Sequence, residues 1–311
     1  MTNRRTTALV LLLGLALAMI ACGNAGAGSP GVGSPSANPD ALRVVTTTTI
    51  FADLVRQVGG SRVTVDSLVP KGGEVHTFDP RPSDVRRVTE AAVVFRNGLG
   101  LDDWLGSLVA DAGTKAPVIE LGEGLDGVTY LQGEHGGGVN PHLWMNAAYA
   151  SLYAGRIAEA LTTADPAGAS AYAAGLAAYR ARLAELDTYA KTQIGSIPED
   201  RRTVVSFHDA FPYFAAAYGL RIDGTIVDAP GQDPSAGAIA SLVEAVRANH
   251  VSAIFAEAQF SDELARTIAA ETGAAVVSNL YTDSVGDAPQ DTYEGLMRWN
   301  VDRVVAALKG G

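Results

Sequence analysis

Histidine is scarce in this chain of 311 residues, which holds five. Three of them, His76, His142 and His208, stand at loops or strand ends near glycine or proline, far apart in sequence. Neutral imidazole is the commonest metal ligand, so a fold that gathered these three would make a metal centre. Asp283, shortly after an apolar run, adds a carboxylate as a fourth donor. No local motif of the His-Glu-x-x-His kind is present, so such a site must be assembled by the fold. Taken singly, each of the three histidines also reads as an ordinary hydrogen-bonded surface or core residue. Asp283 reads equally as a turn or cap residue. His250 follows a helix and is expected to face solvent, and His135 lies in a Gly-rich loop open to any role.

The elements that would position these donors follow from periodicity. Short β-branched runs at 42–48, 63–69, 92–95 and 117–119 alternate with helical stretches, and the same order returns at 203–207, 221–225, 253–256 and 275–278. That alternation predicts parallel sheets with helices on both faces. Between the two sets, Asp165-Pro166 opens an Ala-rich stretch reaching about Ile194. Roughly 30 helical residues span about 45 Å, more than one lobe needs. The fold class is therefore α/β: two lobes, each a parallel sheet flanked by helices, joined by one long helix. Ser83 and Asn146 are the expected caps of two of the flanking helices, and Ser235 stands near the start of a third, Pro234–Asn249. The strand at 203–207 ends at His208, and the carboxyl ends of strands line the crevice where open α/β sheets bind ligands.

The N-terminus speaks to compartment. Arg4 and Arg5 precede an apolar run from Ala8 to Ile20 that ends at Ala21-Cys22-Gly23, the pattern of a secretory signal with a small-residue cleavage site. Cys22 is the single cysteine, so a disulfide cannot be its purpose. The Gly/Ser/Ala/Pro/Asn stretch that follows cannot bury enough apolar surface to order itself and is expected to be a tether. The divisions are a signal peptide (1–21), a tether (22–40), a first lobe (41–164), a linking helix (165–196) and a second lobe (197–311). A formal charge of −11 argues against nucleic acid as a partner. Hydrophobic content of 47% against 18% charged residues fits a well-packed body.

Several stretches together resemble the metal-binding lipoproteins of bacterial ABC importers for zinc and manganese. Cys22 is placed like the lipid-bearing cysteine of a lipobox, with Met19 where Leu, Val or Ile is usual. The run Gly72–Asp84 is similar to the family's first ligand loop, with Glu74-Val75 in place of Asp-Pro. Asn140-Pro141-His142-Leu143-Trp144-Met145 resembles the second, Phe207-His208-Asp209-Ala210-Phe211 the third, and Tyr281-Thr282-Asp283-Ser284 the aspartate loop. Pro230–Ser235 and Ile254–Glu257 resemble structural signatures of the second lobe. Order and spacing agree through nearly the whole mature chain.

The resemblance implies an ion clasped between the lobes, with His76 and His142 from the first and His208 and Asp283 from the second. Relatives similar to manganese binders generally carry a carboxylate where this chain has His208. Three imidazoles and one carboxylate suit a small tetrahedral ion, whereas Mn2+ prefers more oxygens, so Zn2+ is the expected cargo. Zinc-specific relatives often carry a long His-rich loop before the second ligand, of which the His135 segment is at most a short remnant. Glu74, Asp79 and Asp209 are candidates to orient the ligating imidazoles. The implied function is capture of Zn2+ outside the membrane and delivery to an ABC permease, by a monomer anchored through lipid on Cys22, with no enzymatic activity. The alternatives are a manganese or iron binder of the same family, a metal-dependent surface adhesin, and a zinc hydrolase.

Overall fold

The computed structural model describes residues 40–133, 138–227 and 230–310. The signal segment 1–21, Cys22 with residues 23–39 of the tether, and His135 lie outside the described residues. The first half runs β1 (Leu42–Thr46), α1 (Thr49–Gly59), β2 (Val63–Ser67), α2 (Pro82–Thr89), β3 (Val93–Arg96), α3 (Leu105–Ala112), β4 (Val118–Glu120) and α4 (Ala147–Ala164). The long helix α5 (Ala169–Gly195) follows. Then come β5 (Thr203–Ser206), α6 (Pro212–Tyr218), β6 (Arg221–Thr225), α7 (Ala236–Ala248), β7 (Ala253–Glu257), α8 (Glu263–Thr272), β8 (Ala275–Leu280) and α9 (Tyr293–Lys309).

Two four-stranded sheets result, in the orders β2-β1-β3-β4 and β6-β5-β7-β8. Every strand pair in both is parallel. Their central strands are apolar on both faces, as helix-covered parallel sheets require. In β1, Val44 faces the main core while Val45 faces a smaller outer cluster with Leu68 and Val88. In β5 and β7, Val204 and Phe255 face the main core while Val205 and Ile254 face the other outer cluster.

Caps set where helices begin. Asn146 Oδ1 accepts the Ala148 N–H at 2.9 Å to start α4, and Ser235 Oγ accepts the Ala238 N–H at 3.1 Å to start α7. Ser83 does not cap α2. Pro82 opens that helix, because its fixed φ and missing N–H suit a first turn, and Asp84 Oδ2 reaches back to the Arg81 N–H at 2.8 Å. The linking helix begins after a 3-10 turn at Pro166–Gly168, where Asp165 accepts the Gly168 N–H.

At 27 residues α5 is about 40 Å long. It packs on α1 and α4 of the first half and on α6 and α9 of the second. Gly175 permits the closest approach, since a Cβ there would stand 2.2 Å from the Val58 carbonyl oxygen of α1. Around α5 one apolar cluster runs without a break from Val44, Phe51 and Phe95 through Trp144, Tyr179 and Leu186 to Phe211, Phe255 and Leu308. The two sheets therefore share a core.

Candidate metal centre

Each of the four candidate donors follows the carboxyl end of a strand. His76 lies between β2 and α2, His142 between β4 and α4, His208 between β5 and α6, and Asp283 between β8 and α9. The structure brings all four together. One ligand-type atom from each lies within 4.8 Å of the others. The carboxylate stands 3.5 Å from His208 Nε2, 3.6 Å from His142 Nε2 and 4.0 Å from His76 Nε2. Ring centroids of the three imidazoles are 5.2–5.6 Å apart. His142, His208 and Asp283 are buried, and His76 keeps 19% of its side chain exposed.

Four atoms at this point are buried without a hydrogen-bond partner: His76 Nε2, His142 Nε2, His208 Nε2 and Asp283 Oδ1. A buried polar atom left unpaired costs about 1–3 kcal/mol. Four such atoms facing one another are what a cation with bonds near 2.0–2.2 Å would satisfy, so the residues present fit a divalent metal ion.

The surroundings hold each donor in place. Asn140 Oδ1 accepts the His142 backbone N–H at 3.0 Å and lies 3.1 Å from His142 Nδ1. Asn140 Nδ2 in turn donates to the Asp209 carbonyl at 2.7 Å and carboxylate at 2.9 Å, so Asp209 reaches His142 through Asn140. Glu74 Oε1 accepts the His76 N–H at 2.8 Å and fixes the backbone of that loop. Asp79 is exposed, and no hydrogen bond or ion pair among the described residues ties it to a histidine. The Asp283 loop is pinned by Trp144, whose indole N–H donates to the Thr282 carbonyl at 2.7 Å. Gln259 Nε2 donates to both Thr282 Oγ1 and Asp283 Oδ2. Ser284 Oγ accepts the Gly72 N–H at 2.8 Å, joining this loop to the one that carries His76.

Electrostatics differ sharply among the three imidazoles. Burial, with a further push from the charge on His208, lowers His76 to about 3. Burial and the same charge hold His142 well below the ordinary histidine range. At His208 burial works in the same direction, but the charge and hydrogen bond of Glu257, helped by Asp283 and Glu74, outweigh it and raise the pKa to about 9. Asp283 is raised to about 7, chiefly by desolvation, with His208 opposing and Glu74 and Glu257 adding repulsion. Glu74 is raised mainly by burial.

Glu257, Gln259, Asn140 and Trp144 were not among the site residues expected from sequence. Glu257 carried a usable signal. β5 pairs with β7 so that Val205 faces Ile254 and Ser206 faces Phe255. Continuing that register two residues sets His208 opposite Glu257. Reading it requires knowing that these strands are neighbours.

The family model described as the zinc-uptake complex component A, periplasmic (ZnuA), matches residues 44–307. The metal ABC transporter substrate-binding lipoprotein FimA of Streptococcus parasanguinis is 32% identical over 309 residues, covering 96% of this chain and 97% of that protein. The manganese-binding lipoprotein MntA of Halalkalibacterium halodurans is 32% identical over 296 residues, covering 94% and 96%. Among solved structures, the periplasmic zinc-binding protein TroA of Treponema pallidum superposes with a TM-score of 0.79 at 27% identity, covering 86% of this chain and 99% of that one.

Proposed function

Because the chain belongs to the family of the periplasmic zinc-uptake component, a solute-binding part of a transport system and not an enzyme, we propose that it captures Zn2+ outside the membrane and delivers it to an ABC permease. The observation that carries this reading is the convergence of four buried, unpartnered donor atoms from four separate loops. His76, His142 and His208 supply nitrogen, and Asp283 supplies oxygen. Three imidazoles with one carboxylate suit a four-coordinate borderline ion. With Asp283 in the fourth place no position is left for an activated water, which argues against a hydrolase built on the same residues. Relatives named as lipoproteins support lipid on Cys22 as the anchor, and no helix among the described residues is long and apolar enough to cross a membrane.

A second reading is favoured by a specific observation: a relative as similar as FimA is named for manganese. Competition among Zn2+, Mn2+ and Fe2+ on metal-stripped protein separates the two. Zn2+ is expected to displace the others, as the usual order of divalent affinities also favours. His208→Glu, which exchanges a nitrogen donor for an oxygen donor, is expected to narrow the preference toward Mn2+. A native protein that holds Mn2+ against Zn2+ would overturn zinc as the cargo and leave metal capture standing.

A further inference from the structure

We propose that Glu257 is a positioning residue for the cargo, holding the His208 ring by its Nδ1–H and supplying the second negative charge that a buried divalent ion needs. The inference rests on the capture reading above. Glu257 ends β7 and lies opposite His208 in the extended β5–β7 register. Its Oε2 is 2.6 Å from His208 Nδ1, and both residues are 1% exposed. With Nδ1–H committed to this carboxylate, the ring turns its other nitrogen, Nε2, toward Asp283, His76 and His142. The ring also meets Phe260 in a T-shaped contact with centroids 5.7 Å apart, and Phe260 stacks on Phe207 at 4.8 Å.

Orientation alone would not require an acid. A glutamine amide oxygen accepts the same hydrogen bond without burying a charge, and a buried carboxylate lacking compensation is costly. Glu257 has, moreover, a second oxygen that is buried and unpartnered, Oε1. Charge balance accounts for the acid. Three neutral imidazoles and one aspartate leave a divalent ion with one positive charge uncompensated, and Glu257 cancels it from behind His208. Glu74 is less suited, because it sits on the His76 loop and is only partly buried. A carboxylate hydrogen-bonded behind a ligating histidine also makes that histidine a stronger donor.

The test compares Glu257→Gln and Glu257→Asp with the native protein, using chelator competition for Zn2+ and NMR of the Cd2+-loaded protein labelled with 15N-histidine. Glu257→Gln is expected to weaken Zn2+ binding about 10–100-fold and to shift the His208 Nδ1 proton upfield from its carboxylate-bonded position. Glu257→Asp keeps the charge and is expected to bind Zn2+ better than the Gln variant. Thermal unfolding of the metal-free variants reports on folding separately, and if the Gln protein does not fold, the Asp variant and the position of its Nδ1 proton decide. Native-like affinity and an unmoved proton in the Gln variant, or Gln binding better than Asp, would overturn the proposal. A native protein that binds no divalent ion would instead sink the capture reading itself.

Discussion

On the capture reading, His208 carries a proton that has to leave before its ring can ligate an ion. Glu257, Asp283 and Glu74 hold that proton up to about pH 9, and Asp283 keeps its own up to about pH 7. His76 and His142 are pushed the other way and are neutral throughout this range. The sign follows directly: binding releases one proton between pH 7 and 9 and up to two below pH 7. Apparent Zn2+ affinity should therefore rise about tenfold per pH unit between 7 and 9, and more steeply below 7. Affinities measured in that range, with calorimetry in buffers of different ionisation heats to count protons, check this. A flat profile above pH 7 would contradict it. From residue types alone, histidine ligands predict a profile centred near pH 6.5. The difference comes from Glu257, a partner 49 positions away in sequence. The four residues that converge were legible in the chain because scarce, chemically distinct residues mark their loops. The acid behind His208 was not legible, since its role depends on which strands are neighbours.

The elements divide into those that hold the molecule and those that hold the four candidate donors. Asn146 caps α4 on the surface, and Asn146→Ala should cost about 1 kcal/mol in denaturant unfolding while leaving Zn2+ affinity unchanged. Trp144 does both jobs. Its indole N–H satisfies the buried Thr282 carbonyl beside Asp283, and its own carbonyl accepts the Tyr293 hydroxyl at 2.6 Å. Trp144→Phe leaves the Thr282 carbonyl unpaired, which costs about 1–3 kcal/mol, and frees the loop that presents Asp283. Stability and Zn2+ affinity should therefore fall together, in contrast to Asn146→Ala. Equal affinity in both variants would show that the indole does not position the aspartate. The alternation of strands and helices was readable from period and length. A helix start was readable where one side chain decides it, as at Asn146. At α2 the decision fell to Pro82 and to a carboxylate reaching backwards, and the serine between them misled.

At the scale of the whole molecule, the unbroken apolar cluster around α5 governs motion. Wide separation of the sheets would expose Trp144, Tyr179 and Phe211, all now fully buried, at roughly 1.5–3 kcal/mol for each large side chain. Ion binding that drove such an opening and closing would forfeit several kcal/mol of its own free energy. Small-angle scattering of stripped and Zn2+-loaded protein should thus return the same radius of gyration within error, on the order of 18–19 Å for a body of this size. Loading should instead appear as a higher melting temperature, since saturation at a thousandfold excess over Kd stabilises by about 4 kcal/mol. A clear contraction on loading would refute the rigid picture. Rigidity has a further consequence for whatever receives the ion. A membrane transporter meeting this protein cannot tell full from empty by silhouette. On the capture reading the difference is legible at the rim, where His76 is the one of the four candidate donors within reach of solvent.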